Sequence, residues 1–314
     1  TAEKHCKDLS RYELSPEQEY YVGRAATANV LARYGAANAL SADHPVAVYV
    51  RSVGQAVSAT AGERVGDKGL PRQQPSVADR PWPHRGYHFL VIRAKTPNAH
   101  GMPGGFVVVT TGLLELVKSE DELATILGHE IAHVHRGHGA EAVKMRLCLL
   151  DNDEKTLTGG LAKSFGMGAG SIAKSLREPV KTVTGHEIDD EKVRKYMAGV
   201  FSDAVGSLTD DMLESSFEPA LEFEADATGA RFASATGYGA GGIVQVLNRM
   251  PRPSGKGFAH GAASTHPDPA KRIAALKEIL AREKLAESVP GASLREARFQ
   301  AAFSKLAPQS AALH

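Results

Sequence analysis

The sequence predicts an α+β protein, mainly helical, with a small antiparallel sheet packed on one chemistry-bearing helix. Three observations predict it. Two β-rich runs, Tyr87-His88-Phe89-Leu90-Val91-Ile92 and Phe106-Val107-Val108-Val109-Thr110-Thr111, lie close together with the turn residues Pro103-Gly104-Gly105 between them. Beyond Gly112 the pattern is helical almost throughout, broken only at residues 159–171, 182–190 and 251–269. Finally, one well-capped amphipathic helix carries polar groups within and beside its apolar stripe.

The elements follow in order. From Ser15-Pro16-Glu17 the chain reads as helix, with Val22, Ala25, Ala26, Asn29 and Val30 near one face and Gly35 as a stop. A second helix covers about residues 45–60. Residues 62–85, rich in Gly, Pro and Arg, read as a flexible loop without a core of its own. The two strands come next, then the helices. The Gly-rich stretch 159–170 lacks the Gly-Lys-Ser/Thr ending of a phosphate loop and the spacing of a dinucleotide fingerprint, so it reads as helix packing or loop.

Composition narrows the function. The 314 residues are 42% hydrophobic and 23% charged, as expected of a chain that buries a real core. A formal charge of +1 gives no case for nucleic acid or an anionic membrane as the main partner. No apolar run approaches the ~20 residues of a membrane-spanning helix. The longest, 106–117, is interrupted by Thr110, Thr111, Gly112 and Glu115, so a soluble chain is expected. Cys6 and Cys148 can pair in an oxidising compartment, but cysteines so far apart in sequence are expected to be free thiols. Thirteen histidines direct attention to metal chemistry.

Ser119-Glu120-Asp121-Glu122 is a capping box, in which Ser119 accepts the Glu122 amide and Glu122 reaches back to the Ser119 amide. The helix it opens carries Leu123, Ile126, Leu127, Ile131 and Val134 on one stripe. At about 100° per residue, Glu130 falls inside that stripe, with His129 and His133 along its edge. Burying such groups without partners would cost several kcal/mol. A metal ion removes the difficulty: it takes the two imidazoles, one turn apart, and leaves the carboxylate beside a bound water.

A catalytic zinc usually takes three protein ligands. The metzincin pattern requires Gly at position 136 and His at position 139, where this chain has Arg136 and Gly139. His135 points about 200° away from His133, and both His135 and His138 read as surface residues. The remaining candidate lies 89 residues beyond His133, in Glu222-Phe223-Glu224-Ala225-Asp226, on a helix starting near Pro219. Glu222 and Asp226 face the same way, so one can bind the metal while the other orients an imidazole. Glu224 points elsewhere and reads as solvent-facing.

These segments together resemble peptidase family M48, of the gluzincin class of zinc peptidases. His129-Glu130-Ile131-Ala132-His133 matches its His-Glu-x-x-His motif, and Asn98 to Leu114 looks like its strand and turn before the site helix. Glu222 to Asp226 matches its Glu-x-x-x-Asp segment, and Ser264-Thr265-His266-Pro267 with Arg272-Ile273 its His-Pro…Arg-Ile segment. The resemblance covers about residues 15–280. It implies a zincin-type domain there, with residues 1–14 as an extension and 281–314 as a helical tail. It further implies one Zn2+ per chain, held by His129, His133 and Glu222, with Glu130 as general base and Asp226 behind the ligands. Gly105, Phe106, Val107, Val108 and Val109 would form the edge on which an extended polypeptide substrate adds as a strand. His266 would either stabilise the oxyanion or bind zinc and hold the enzyme latent, and Arg272 would be an anion-stabilising or structural cation.

The implied function is a zinc-dependent endopeptidase acting on unfolded segments in protein quality control, in the compact, soluble, exported branch, with the bacterial periplasm as its place. Two other readings remain. One is a latent metal-binding, chaperone-like protein whose site is blocked by His266. The other is a structural zinc protein, which the donor set disfavours because closed structural sites prefer four Cys or His ligands.

Overall fold

The computed structural model describes residues 6, 8–61, 82–152, 205–206, 209–210, 217–250, 268–304 and 306. His266, the Gly-rich stretch 159–170 and most of the 62–85 loop lie outside the described residues. The chain divides into two compact units.

The larger unit comprises Pro16–Gly139 and Thr209–His314. Helix α1 (Pro16–Tyr34) opens on a proline, whose missing N–H is no loss in a first turn, and ends at Gly35 with φ of +82°. Helix α2 (Pro45–Ala61) buries Val46, Val50, Val53 and Val57, the i, i+4, i+7 stripe of an amphipathic helix. Strands β1 (His88–Ile92), β2 (Ala99–Met102) and β3 (Phe106–Thr110) form one sheet in the order β1-β3-β2. Helices α3 (Thr111–Leu116) and α4 (Glu120–Arg136) follow. After them come α6 (Pro219–Ala235), α7 (Gly242–Arg249), α8 (Pro269–Glu283) and α9 (Ala292–Phe303). The mainly helical α+β class therefore holds.

The sheet differs from expectation in two respects. It is mixed: β3 runs parallel to β1, pairing His88 with Phe106, and antiparallel to β2, pairing Met102 with Phe106. The Pro103-Gly104-Gly105 turn joins β2 to β3, with Gly104 at φ +68° and Gly105 at +99°, conformations in which other residues are strained. Strand β3 is also central, paired on both sides, and so cannot be the edge on which a substrate adds. The reason is legible in Phe106-Val107-Val108-Val109, an unbroken apolar run buried along its whole length, as a strand covered on both faces must be. Among the described residues, the edge strand beside the site helix is β2. It has no β-branched residue, and Gly101 passes so close to the Glu130 carbonyl that a Cβ would strike it.

Helix α4 starts as expected at Ser119, whose hydroxyl accepts the Glu122 amide at 3.2 Å. The reciprocal bond is displaced. The Glu122 carboxylate accepts the Lys118 amide at 2.7 Å, one residue further out, and pairs with Arg249. Beside it, Glu120 is buried and gathers Tyr49 Oη at 2.5 Å, Tyr238 Oη at 2.9 Å and the Arg298 guanidinium of α9. Burial opposes its ionisation, but these donors outweigh it and hold the carboxyl below its ordinary pKa. Arg295 pairs with Asp121 at 2.7 Å, so α9 supplies two cations to the acidic first turn of α4.

The smaller unit comprises Thr1–Ser15 and Ala140–Leu208. Its described part includes a 3-10 turn at Ser10–Tyr12 and most of α5 (His138–Asn152). Contrary to the expectation of free thiols, Cys6 and Cys148 form a disulfide, with their Cα atoms 5.9 Å apart. Distance along the chain was a poor guide, because Cys6, Tyr12 and Cys148 share one apolar cluster that brings the sulfurs together. Within the stretch 1–14, Cys6 is tied to this unit by that bond and Glu13 by Lys144, which reaches Glu13 at 2.8 Å and Glu141 at 2.7 Å.

Candidate metal centre

The centre forms where α4 crosses α6. Gly128 and Gly229 face each other there. A Cβ on Gly128 would lie 2.7 Å from the Gly229 carbonyl oxygen, and one on Gly229 would lie 2.5 Å from the His129 nitrogen. Two glycines let the helix backbones meet, which brings side chains of α6 within reach of those on α4.

Three buried groups converge as a result. His129 Nε2 and His133 Nε2 lie 3.1 Å apart. The Glu222 carboxylate, fully buried, places Oε2 at 3.5 Å from His129 Nε2 and Oε1 at 3.6 Å from His133 Nε2. One donor atom from each lies within 4.8 Å of the others, so the cluster can hold a metal ion. Two imidazole nitrogens and a carboxylate oxygen are the donor set of a catalytic zinc with an open position. Glu130, between the two histidines on α4, is also buried.

Behind His129 stands Asp226, with Oδ1 at 2.9 Å from Nδ1. Arg272, buried on α8, grips Asp226 through Nε at 2.8 Å and Nη2 at 2.6 Å and approaches Glu222 Oε2 at 3.5 Å. Burial raises the pKa of Asp226, but the Arg272 charge outweighs it, followed by the hydrogen bonds from Arg272 and His129, and the carboxyl stays below its usual range. For His129, burial disfavours the charged ring, yet hydrogen bonds to Asp226 and Glu222 prevail and push its pKa up to about 10.

Two residues expected on the surface are not there. His138 is buried, its ring meeting that of His133 edge-on at 4.9 Å. His135 is partly buried, edge-on to Phe232 at 5.4 Å. Glu224, expected to face solvent, sits 3.3 Å from Arg136 Nε and 3.6 Å from His138 Nε2. Phe217 stacks on the His133 ring at 4.6 Å. Helical spacing on α4 could not reveal His138, because α4 ends at Gly137 in the left-handed region and His138 belongs to the next helix, outside the period of α4. The available signal was pairing: Arg136 and His138 two apart, and an acidic residue left over beside Glu222.

The model of a family described as peptidase family M48 matches residues 72–280. The chain is 26% identical over 273 residues to the mitochondrial metalloendopeptidase OMA1 of Schizosaccharomyces pombe, covering 85% of this chain and 63% of that protein. It is 28% identical over 191 residues to protease HtpX of Ectopseudomonas mendocina, covering 55% of this chain and 58% of that one. Over 58 residues it is 38% identical to the beta-barrel assembly-enhancing protease of Yersinia pestis, covering 18% of this chain and 12% of that one. The chain spans less than two thirds of the length of each of these three relatives. No helix among the described residues is long and apolar enough to cross a membrane.

Proposed function

The chain belongs to peptidase family M48, and from that premise we propose that it is a zinc-dependent endopeptidase acting on unfolded or extended polypeptide segments. The observation that carries this reading is the convergence of His129, His133 and Glu222 donor atoms beside Glu130. Zinc in this donor set would polarise the scissile carbonyl and acidify a water. His129, His133 and Glu222 would hold the ion, with Asp226 fixing the His129 ring and Arg272 holding Asp226 in place. Glu130 takes a proton from the attacking water and passes it to the leaving amine.

The substrate adds as a strand to β2, not to β3. Main-chain hydrogen bonds along Ala99–Met102 recognise backbone more than side chains, which favours extended segments of varied sequence. Such selectivity suits a role in protein quality control. Export to an oxidising compartment such as the bacterial periplasm is supported by the Cys6–Cys148 bond. The latent reading rests on His266, which lies outside the described residues, and no observation favours it.

Casein cleavage by the zinc-loaded chain tests the proposal against Glu130→Gln, with metal content measured in both. The expected result is a rate loss of roughly 10²–10⁴-fold with zinc retained. A zinc-loaded parent that cuts nothing, or a Glu130→Gln variant that cuts equally fast, would sink it.

A further inference from the structure

The two imidazoles of the centre are held from behind in unlike ways. His129 has a carboxylate at its Nδ1. His133 has another imidazole: its Nδ1 lies 2.9 Å from Nδ1 of His138. His138 turns its remaining nitrogen towards Glu224, with Nε2 at 3.6 Å from Oε2. Arg136 approaches the second Glu224 oxygen at 3.3 Å and also meets Thr228 Oγ1. Phe217 lies against both rings, at 4.6 Å from His133 and 5.7 Å from His138.

Two ring nitrogens at that distance need one donor and one acceptor, which fixes the tautomers. If His133 gives Nε2 to a metal, its hydrogen sits on Nδ1 and is donated to His138. His138 then accepts at Nδ1 and carries its own hydrogen on Nε2, the nitrogen facing Glu224. The hydrogens can be placed in one direction only, from the metal ligand outwards to an anion that Arg136 holds.

We infer that His138 is a positioning residue for the metal ligand His133, with Glu224 as its anchor. The inference rests on the reading of His129, His133 and Glu222 as metal ligands. His138 fixes which nitrogen of His133 is bare, holds the ring angle, and links the ligand to a negative charge through one intervening imidazole. His129 has the direct carboxylate contact, so the two histidine ligands are oriented by different partners.

The test is zinc affinity of the whole chain by competition with a chelating dye, together with the visible spectrum of the cobalt-substituted protein. His138→Leu keeps the bulk but neither accepts nor donates, and is expected to weaken zinc binding roughly 10–100-fold and to shift the cobalt bands. His138→Gln accepts through its amide oxygen and donates through its amide nitrogen, and is expected to stay within a few-fold of the parent. Unchanged zinc affinity and cobalt spectrum in His138→Leu would overturn the inference. Should that variant not fold, Glu224→Gln decides: a measurable loss of affinity supports the chain of contacts and none overturns it. His133→Ala separates the two levels. If it binds zinc like the parent, the ligand assignment fails and this inference with it. If it loses zinc while His138→Leu does not, only the inference falls.

Discussion

Gly229→Ala should damage both the stability of the larger unit and its metal affinity. The added Cβ would lie 2.5 Å from the His129 nitrogen, 2.7 Å from the Gly128 carbonyl carbon and 2.8 Å from the His129 Cα. All three atoms belong to the backbone of α4 and cannot rotate aside. Favourable carbon contacts begin near ~3.5 Å, so α6 must back away by roughly 1 Å at this point. Overpacking of this kind costs about 1–3 kcal/mol, while replacing a helical glycine returns up to about 1 kcal/mol. The net loss should be about 1–2 kcal/mol by urea unfolding of the metal-free chain. The effect on metal binding should be larger in proportion. Ligand distances are tolerated only within about 0.2 Å, and Glu222 sits on the helix that moves. A zinc competition assay should show at least a roughly 10-fold loss. Gly128→Ala, which would meet the Gly229 carbonyl from the other side, should behave alike. A Gly229→Ala chain as stable as the parent and with the same zinc affinity would refute the argument that this glycine contact sets the site.

Three further outcomes are expected. Arg272→Met removes the guanidinium from the buried Asp226, at a cost of about 3–5 kcal/mol in the metal-free chain; zinc should restore part of it, giving a larger metal-induced rise in Tm than in the parent. In the metal-free chain His129, with its pKa near 10, carries a proton at neutral pH, so zinc binding at pH 7–8 should release about one proton from this ring and tighten as pH rises. Calorimetry in buffers of different ionisation enthalpy reads that proton. The stabilisation of the metal-free chain by the charged ring is full below its ordinary pKa of 6.5 and is lost as pH rises through about 10. Lastly, Cys148→Ser opens a bond between residues 142 apart and should cost the smaller unit about 2–5 kcal/mol, seen as faster limited proteolysis of that unit.

What could be read from the sequence was mostly local. The cap at Ser119 and the positions of His129, Glu130 and His133 depend on one helix and its period, and the helix stands where the pattern places it. Glu222 and Asp226 could be paired by spacing, but which of them faces His129 Nε2 required the crossing of α4 and α6. Strand β2 was missed because Ala99-His100-Gly101-Met102 has little strand preference, and it is extended by its pairing with β3. His138 and Glu224 looked superficial because helical periodicity describes one helix at a time, whereas α6 brings a half-buried Glu224 to the buried His138 just past Gly137.

The contact between Glu120 and Arg298 joins residues 178 positions apart. At roughly 5–20 residues per second on the ribosome, about 9–36 s separate the synthesis of the site helix from that of the guanidinium that answers its first buried carboxylate. Until then Glu120 has only phenolic partners, and burying it carries an uncompensated charge. Ser119 caps α4 locally, but the acidic first turn gains its full set of partners only once α9 has been made.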